Sequence, residues 1–287
     1  MKGMIKIFSM LFMGVSLGVV FECTEHPFGA NTISSLNRQI RGEVVLSDRS
    51  SSGGVYVWLE SFDIGTFTDG RGRFEISLPV PALQGLSGGA DGVYNLYFFV
   101  ANYQLSSAKV AVRNGAFLYS YGDFNGNGDM NWIISMLKLL QIRTTVEPDS
   151  VTMDFEGPIL VEVGLRAVFD SVTVLVPKII GGYTGALLFR RVETGDVYID
   201  LPDFGEGTQT VVKIGPEEHI IKMLINIDRG DFPAGQYEVI PYIWIEQQDL
   251  PEGLIVSLSP NAEKLGADYL KIPFKREGGR FLIRRDG

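Results

Sequence analysis

The chain has 287 residues, 45% of them hydrophobic and 11% aromatic, with 34 Gly and 13 Pro spread along its length. That is more chain than a single domain of roughly 100–200 residues needs, too apolar for global disorder, and suited to many short strands joined by turns. A formal charge of −9 with no long basic run argues against a nucleic-acid partner.

The chain opens as an export signal. Lys2 and Lys6 precede an apolar stretch at 7–21, interrupted only by Ser and Gly and shorter than the ~20 residues of a membrane span. Residues 1–22 are therefore expected to be removed. Cys23, the single cysteine, follows at the place where bacterial lipoproteins are acylated, so the expected location is the cell envelope or beyond, with lipidation at Cys23 as the only membrane attachment. Phe21 and Glu22 depart from the small residues of that motif, and Ser16-Leu17-Gly18 is a rival cleavage site. One cysteine also excludes an intrachain disulfide, which leaves the fold to its cores. Residues 23–37 read as a polar, flexible segment.

Strand signals begin at 40–46 and 54–60, dense in β-branched and aromatic residues around a Ser/Gly-rich turn. In 66–78, Asp69 can cap backbone amides ahead of it, Gly70 and Gly72 permit positive φ, and Phe74, Ile76 and Leu78 alternate onto one face, which predicts a tight hairpin. Further strands follow at 92–103, 106–112 and 116–119. The spacing Gly42-x-Val44, Gly54-Val55-x-Val57, Thr68-Asp69-x-x-Gly72-x-Phe74-x-Ile76, Tyr94-x-Leu96 and Tyr103 resembles the carboxypeptidase regulatory-like domain over residues 40–119. The resemblance implies a transthyretin-like β-sandwich at 38–122, a fold used as an accessory module on secreted and surface proteins and without catalytic residues of its own.

Asp123, Asn125, Asn127, Asp129 and Asn131, with Gly128 at the sharp turn, resemble one calcium loop of a dockerin or EF-hand, and the resemblance implies calcium as a ligand. Position twelve of that loop is Ile134 instead of a carboxylate, and no second repeat is present. The competing reading is a tight loop of Asx-turns. The polar residues at 131, 135, 138 and 141 predict a mostly buried helix over 131–142, and 143–150 a linker, so that 123–150 joins two domains.

From 151 to 287 the pattern is again strands, expected at 151–155, 159–169, 171–176, 185–190, 196–201, 209–214, 219–227, 235–247, 254–257, 269–272 and 280–284. This resembles an immunoglobulin-like Greek-key sandwich. The expected fold class is thus mainly β, two β-sandwich domains joined by a short helix. Charge divides them: residues 31–122 hold 7 acidic and 7 basic side chains, residues 151–287 hold 21 and 14. Lys271, Lys275, Arg276, Arg280, Arg284 and Arg285 reverse the sign near the end and are expected on the outward side of the last strands.

Catalysis lacks its parts. His26 and His219 are the only histidines, and no nucleophile elbow, zinc helix, phosphate loop or dinucleotide fingerprint occurs. Two non-catalytic readings remain: a structural or adhesive surface module, and an accessory module for carbohydrate or peptide that uses Tyr242 and Trp244, on one face of a strand, as a stacking platform. Burial of that strand on both faces is the competing account of the same two residues.

Overall fold

Period-two burial runs through most of the chain, and strands are what it builds. The computed structural model describes residues 35–85, 89–177, 186–200, 209–226 and 232–285, so the export signal, Cys23 and His26 lie outside the described residues.

The first half supplies β1 (Gln39–Leu46), β2 (Tyr56–Leu59), β3 (Ile64–Phe67), β4 (Arg73–Ser77), β5 (Gly92–Phe99), β6 (Ser106–Arg113), β7 (Ala116–Gly122) and β8 (Ile134–Met136). They form two sheets, ordered β4-β1-β8 and β3-β2-β5-β6-β7. Strand β1 runs antiparallel to β4, with Ile40 opposite Ile76, and parallel to β8, with Val44 opposite Ile134. Ile40, Val44, Phe74, Ile76, Val57, Leu59, Leu96, Phe98, Val110 and Met136 from the two sheets meet in one core. Phe74 and Phe98 pack there edge to face, with ring centroids 5.4 Å apart.

The 66–78 hairpin forms as its residues dictate. The Asp69 carboxylate accepts the backbone N–H groups of Arg71 and Arg73, each at 2.9 Å, and these bonds hold its pKa below the ordinary value. Gly72 has φ +83°, and a Cβ there would sit 2.1 Å from the Val44 carbonyl oxygen, so only glycine fits. Thr68 is buried and its hydroxyl accepts the N–H of Val55 at 2.9 Å, tying the hairpin to β2.

The second half supplies β9 (Leu140–Glu147), β10 (Ser150–Thr152), β11 (Pro158–Ala167), β12 (Val172–Pro177), β13 (Leu187–Arg191), β14 (Val197–Asp200), β15 (Gln209–Ile214), β16 (His219–Asn226), β17 (Gly235–Pro241), β18 (Trp244–Ile245), the helix α1 (Leu254–Leu258), β19 (Glu277–Gly278) and β20 (Arg280–Arg284). Their sheets are ordered β16-β11-β9-β19, β15-β12-β18 and β10-β20-β17-β13-β14. Ile142, Val161, Val163, Val174, Phe189, Tyr237, Val239 and Phe281 are among the residues of the core these sheets share.

The mainly β architecture agrees with the sequence, and four local expectations are corrected. Residues 131–142 are not helical: Ile134, Met136, Lys138, Leu140 and Ile142 point inward in strict alternation, and the segment becomes β8 and the start of β9. The expected linker at 143–150 is strand β9, clamped antiparallel against β11 from Leu140–Ala167 to Glu147–Leu160, followed by β10. The stretch 254–257 lies in α1, the single α-helix among the described residues, whose one turn sets Leu254 and Ile255 inside while Val256 faces solvent, and 269–272 lies in and just beyond a 3-10 turn, Ala267–Lys271.

A third core joins the halves. Tyr56, Trp58, Phe99 and Ala101 from the first half pack with Ala186, Leu188, Ile240, Tyr242, Leu254, Ile255, Ala262, Tyr269 and Ile272 from the second. Strand β2 makes this feasible because it is buried on both faces, Val57 and Leu59 toward the first core and Tyr56 and Trp58 toward the joint. Each large apolar side chain buried here contributes roughly 1.5–3 kcal/mol. The described residues accordingly form one compact unit.

Candidate functional site

The loop after β7 carries the residues read as calcium ligands, and the structure brings all five onto one turn. Asn125 organises it: its side-chain oxygen accepts the N–H of Asn127 at 2.8 Å and of Asp129 at 3.1 Å, which makes an Asx-turn. Gly128 at φ +79° lets the chain reverse. The two aspartates also have protein partners. The Asp123 carboxylate accepts the N–H of Lys109 at 2.6 Å, the Asp129 carboxylate pairs with Arg41 at 3.1 Å, and the Asp129 carbonyl, the seventh position of a calcium loop, accepts the N–H of Asn125 at 2.9 Å. Ile134, at the twelfth position, is buried in the first core and supplies no oxygen. These bonds staple the loop after β7 to β1 and β6, with Arg41 N–H donating to the Gly128 carbonyl at 2.9 Å. Among the described residues no group of three or more His, Cys, Asp or Glu side chains could hold a metal ion.

Tyr242 and Trp244 belong to the joint. Tyr242 is buried, its ring 4.7 Å from that of Tyr269, its hydroxyl donating to the Glu263 carbonyl at 2.5 Å; burial pushes its pKa up to about 12. Trp244 is partly buried against the same core. Tyr242 thus fills the joint and offers no face to a ligand. His219 begins β16 on the surface.

The polar part of the joint was not read from the sequence. Asn102, fully buried just after β5, accepts the N–H of Lys275 at 2.9 Å and donates to the carbonyls of Lys275 at 2.9 Å and Leu140 at 3.0 Å. Gln247 donates to the carbonyls of Ala101 at 2.9 Å and Tyr103 at 3.2 Å. Nearby, the Lys138 ammonium lies 2.9 Å from the Asp48 carboxylate, which also accepts the Tyr103 hydroxyl at 2.9 Å and the Ser50 hydroxyl at 2.8 Å. Burial opposes ionisation of Asp48, but the bonds from Lys138, Ser50 and Tyr103 together outweigh it and hold the carboxyl well below the usual carboxylate range. Burial raises the Tyr103 hydroxyl, whose proton stays on the donor side of its bond to Asp48.

A cleft of about 860 Å³ opens beside this joint, lined from both halves by Tyr97, Leu137, Phe169, Glu246, Gln247 and Asp249, among others.

No family model matches the chain, and no curated protein matches it. Among solved structures it is distantly similar to the Bacillus anthracis TIE protein, at 9% identity and a TM-score of 0.22, over 71% of this chain and 45% of that one. The chain therefore spans less than half the length of that protein.

Proposed function

We propose that this protein is an exported, non-catalytic surface component whose stacked β-sandwiches act as a stiff structural or adhesive module. The observation that carries the reading is the third core: thirteen buried residues drawn from both halves, reinforced by the Asn102 clip, weld the sheets into one body where a hinged receptor or a lidded enzyme would keep them free to move. Lys2, Lys6 and the apolar run at 7–21 support export, and the resemblance of 40–119 to the carboxypeptidase regulatory-like domain supports an accessory role. The test is mechanical coupling. Thermal unfolding of the signal-free chain, followed by calorimetry, should give one cooperative transition, and two well-separated transitions would overturn the stiff-module reading.

The second reading is an accessory protein for carbohydrate or peptide. It rests on the 860 Å³ cleft, where Tyr97 and Phe169 offer aromatic surface beside the Gln104, Gln247 and Gln248 amides. Binding to immobilised glycans that Phe169→Ala removes would favour it over the first.

A further inference from the structure

Strands β13, β17 and β20 place three charges in a row. Their antiparallel register sets Arg190 opposite Glu238 and Glu238 opposite Arg280. Residues directly opposite on neighbouring strands share a sheet face. These three line one cleft of about 500 Å³, together with Gln236 from β17, Val192 just after β13, and Arg276 and Gly278 from the segment leading into β20.

Three guanidinium groups there face one carboxylate, in a chain whose net charge is −9. Glu238 is taken by Arg190. Arg276 and Arg280 have no carboxylate partner among the described residues. Arg276 is also fixed in place. Its guanidinium carbon lies 4.0 Å from the Phe274 ring centroid, and its terminal nitrogen donates to the Tyr269 hydroxyl at 3.1 Å. Its Nε is buried with no acceptor among the described residues, a donor left unsatisfied by the protein itself.

We propose that this cleft binds a monosaccharide-sized organic anion through its carboxylate or phosphate group, with Arg276 and Arg280 holding the charged end. The planar donor fork of arginine matches either oxyanion in bidentate fashion. A guanidinium already held by stacking loses little freedom on binding. The volume exceeds that of a bare inorganic ion and falls within the range of about 300–1000 Å³ typical of small-molecule sites, and the Gln236 amide can serve a hydroxyl group. The inference stands apart from the stiff-module reading, since a rigid surface protein can carry such a site or lack it.

The test is an NMR titration of the signal-free chain, following the backbone amides of Gln236 and Gly278, with glucuronate, glucose 6-phosphate, inorganic phosphate and glucose as separate probes. Saturable shifts from at least one sugar anion, with a dissociation constant of about 1 mM or tighter, and none from glucose, are expected. Arg280→Ala should weaken that binding about tenfold while leaving the melting temperature unchanged, because Arg280 is exposed. Arg276→Lys, which keeps the charge and removes the fork, should weaken it as well. No saturable shift from either sugar anion, or binding indifferent to Arg280→Ala, would overturn the site. Equal affinity for inorganic phosphate would overturn the sugar-sized occupant.

Discussion

The joint between the two halves has two sides built on opposite principles. One is an apolar plug of Trp58, Tyr242, Leu254 and Tyr269; the other is a polar clip in which Asn102 and Gln247 bond across the same boundary and Lys138, between β8 and β9, joins Asp48 to Glu277. The plug gains free energy from area removed from water and tolerates many arrangements of its parts. The clip gains little net free energy per bond, but each bond has one geometry, and a buried group that loses its partner is costly. Hydrophobic burial therefore holds the halves together, and hydrogen bonding decides how they are registered.

Truncation on each side should separate these roles. Tyr269→Ala removes a fully buried ring together with the hydroxyl that accepts the N–H of Ile243 at 3.2 Å and donates to its carbonyl at 2.8 Å. Its expected cost is about 3–5 kcal/mol in urea unfolding, the largest at the joint. Asn102→Leu keeps the branched heavy-atom skeleton and adds apolar surface, yet leaves the Lys275 N–H and two carbonyls without their side-chain partner, so a loss of about 2–4 kcal/mol is expected. If Asn102→Leu were neutral or stabilising, the clip would have no part in the joint and the contrast would collapse.

Lys138→Met should cost about 1–3 kcal/mol, because the Asp48 carboxylate stays ionised beside an apolar side chain but remains partly open to solvent. This pair also gives the joint its acid sensitivity. The folded-state pKa of Asp48 is depressed, so its contribution is fully present above the unfolded value of about 4 and is lost as pH falls below that value toward the folded one. Urea midpoints measured at neutral pH and near pH 3 should differ less in Lys138→Met than in the parent chain. A variant whose acid limb matched the parent's would remove Asp48 from the account.

The smallest effects belong to the loop at 123–131, which lies outside the plug. Asn125→Ala should cost about 1 kcal/mol through the lost Asx-turn. Millimolar calcium or a chelator should leave the melting curve where it is. A calcium-dependent rise in melting temperature, abolished by Asp123→Ala, would show that these oxygens turn outward to a cation and would reverse the assignment made from their present partners.

How far the sequence carried each region follows from whether its cause is local. The 66–78 hairpin was legible because Asp69, Gly72 and Phe74 specify their own turn within a few residues. The segment 131–142 was not, because Lys138 occupies an inward position, and a lysine among the inward residues hides from the sequence the alternation that the structure follows. Its reason for being inward is Asp48, ninety residues earlier. The burial of Tyr242 was illegible for the same reason, since the core that takes it in is completed by Tyr56, Trp58 and Leu254 from distant parts of the chain. Arg276 and Arg280 were recognised as a local reversal of charge, but their neighbours Arg190 and Glu238 come from strand register, which no spacing within one segment encodes.

Asn102 has one more consequence. Every bond its side chain makes is to main chain, at Lys275 and Leu140, so the lock it forms is indifferent to the identities of the residues it grips. Position 275 is therefore freer than position 102, while Leu140 is held by its own burial in the second half's core, and a library randomised at all three should recover asparagine at 102, an apolar residue at 140 and variety at 275.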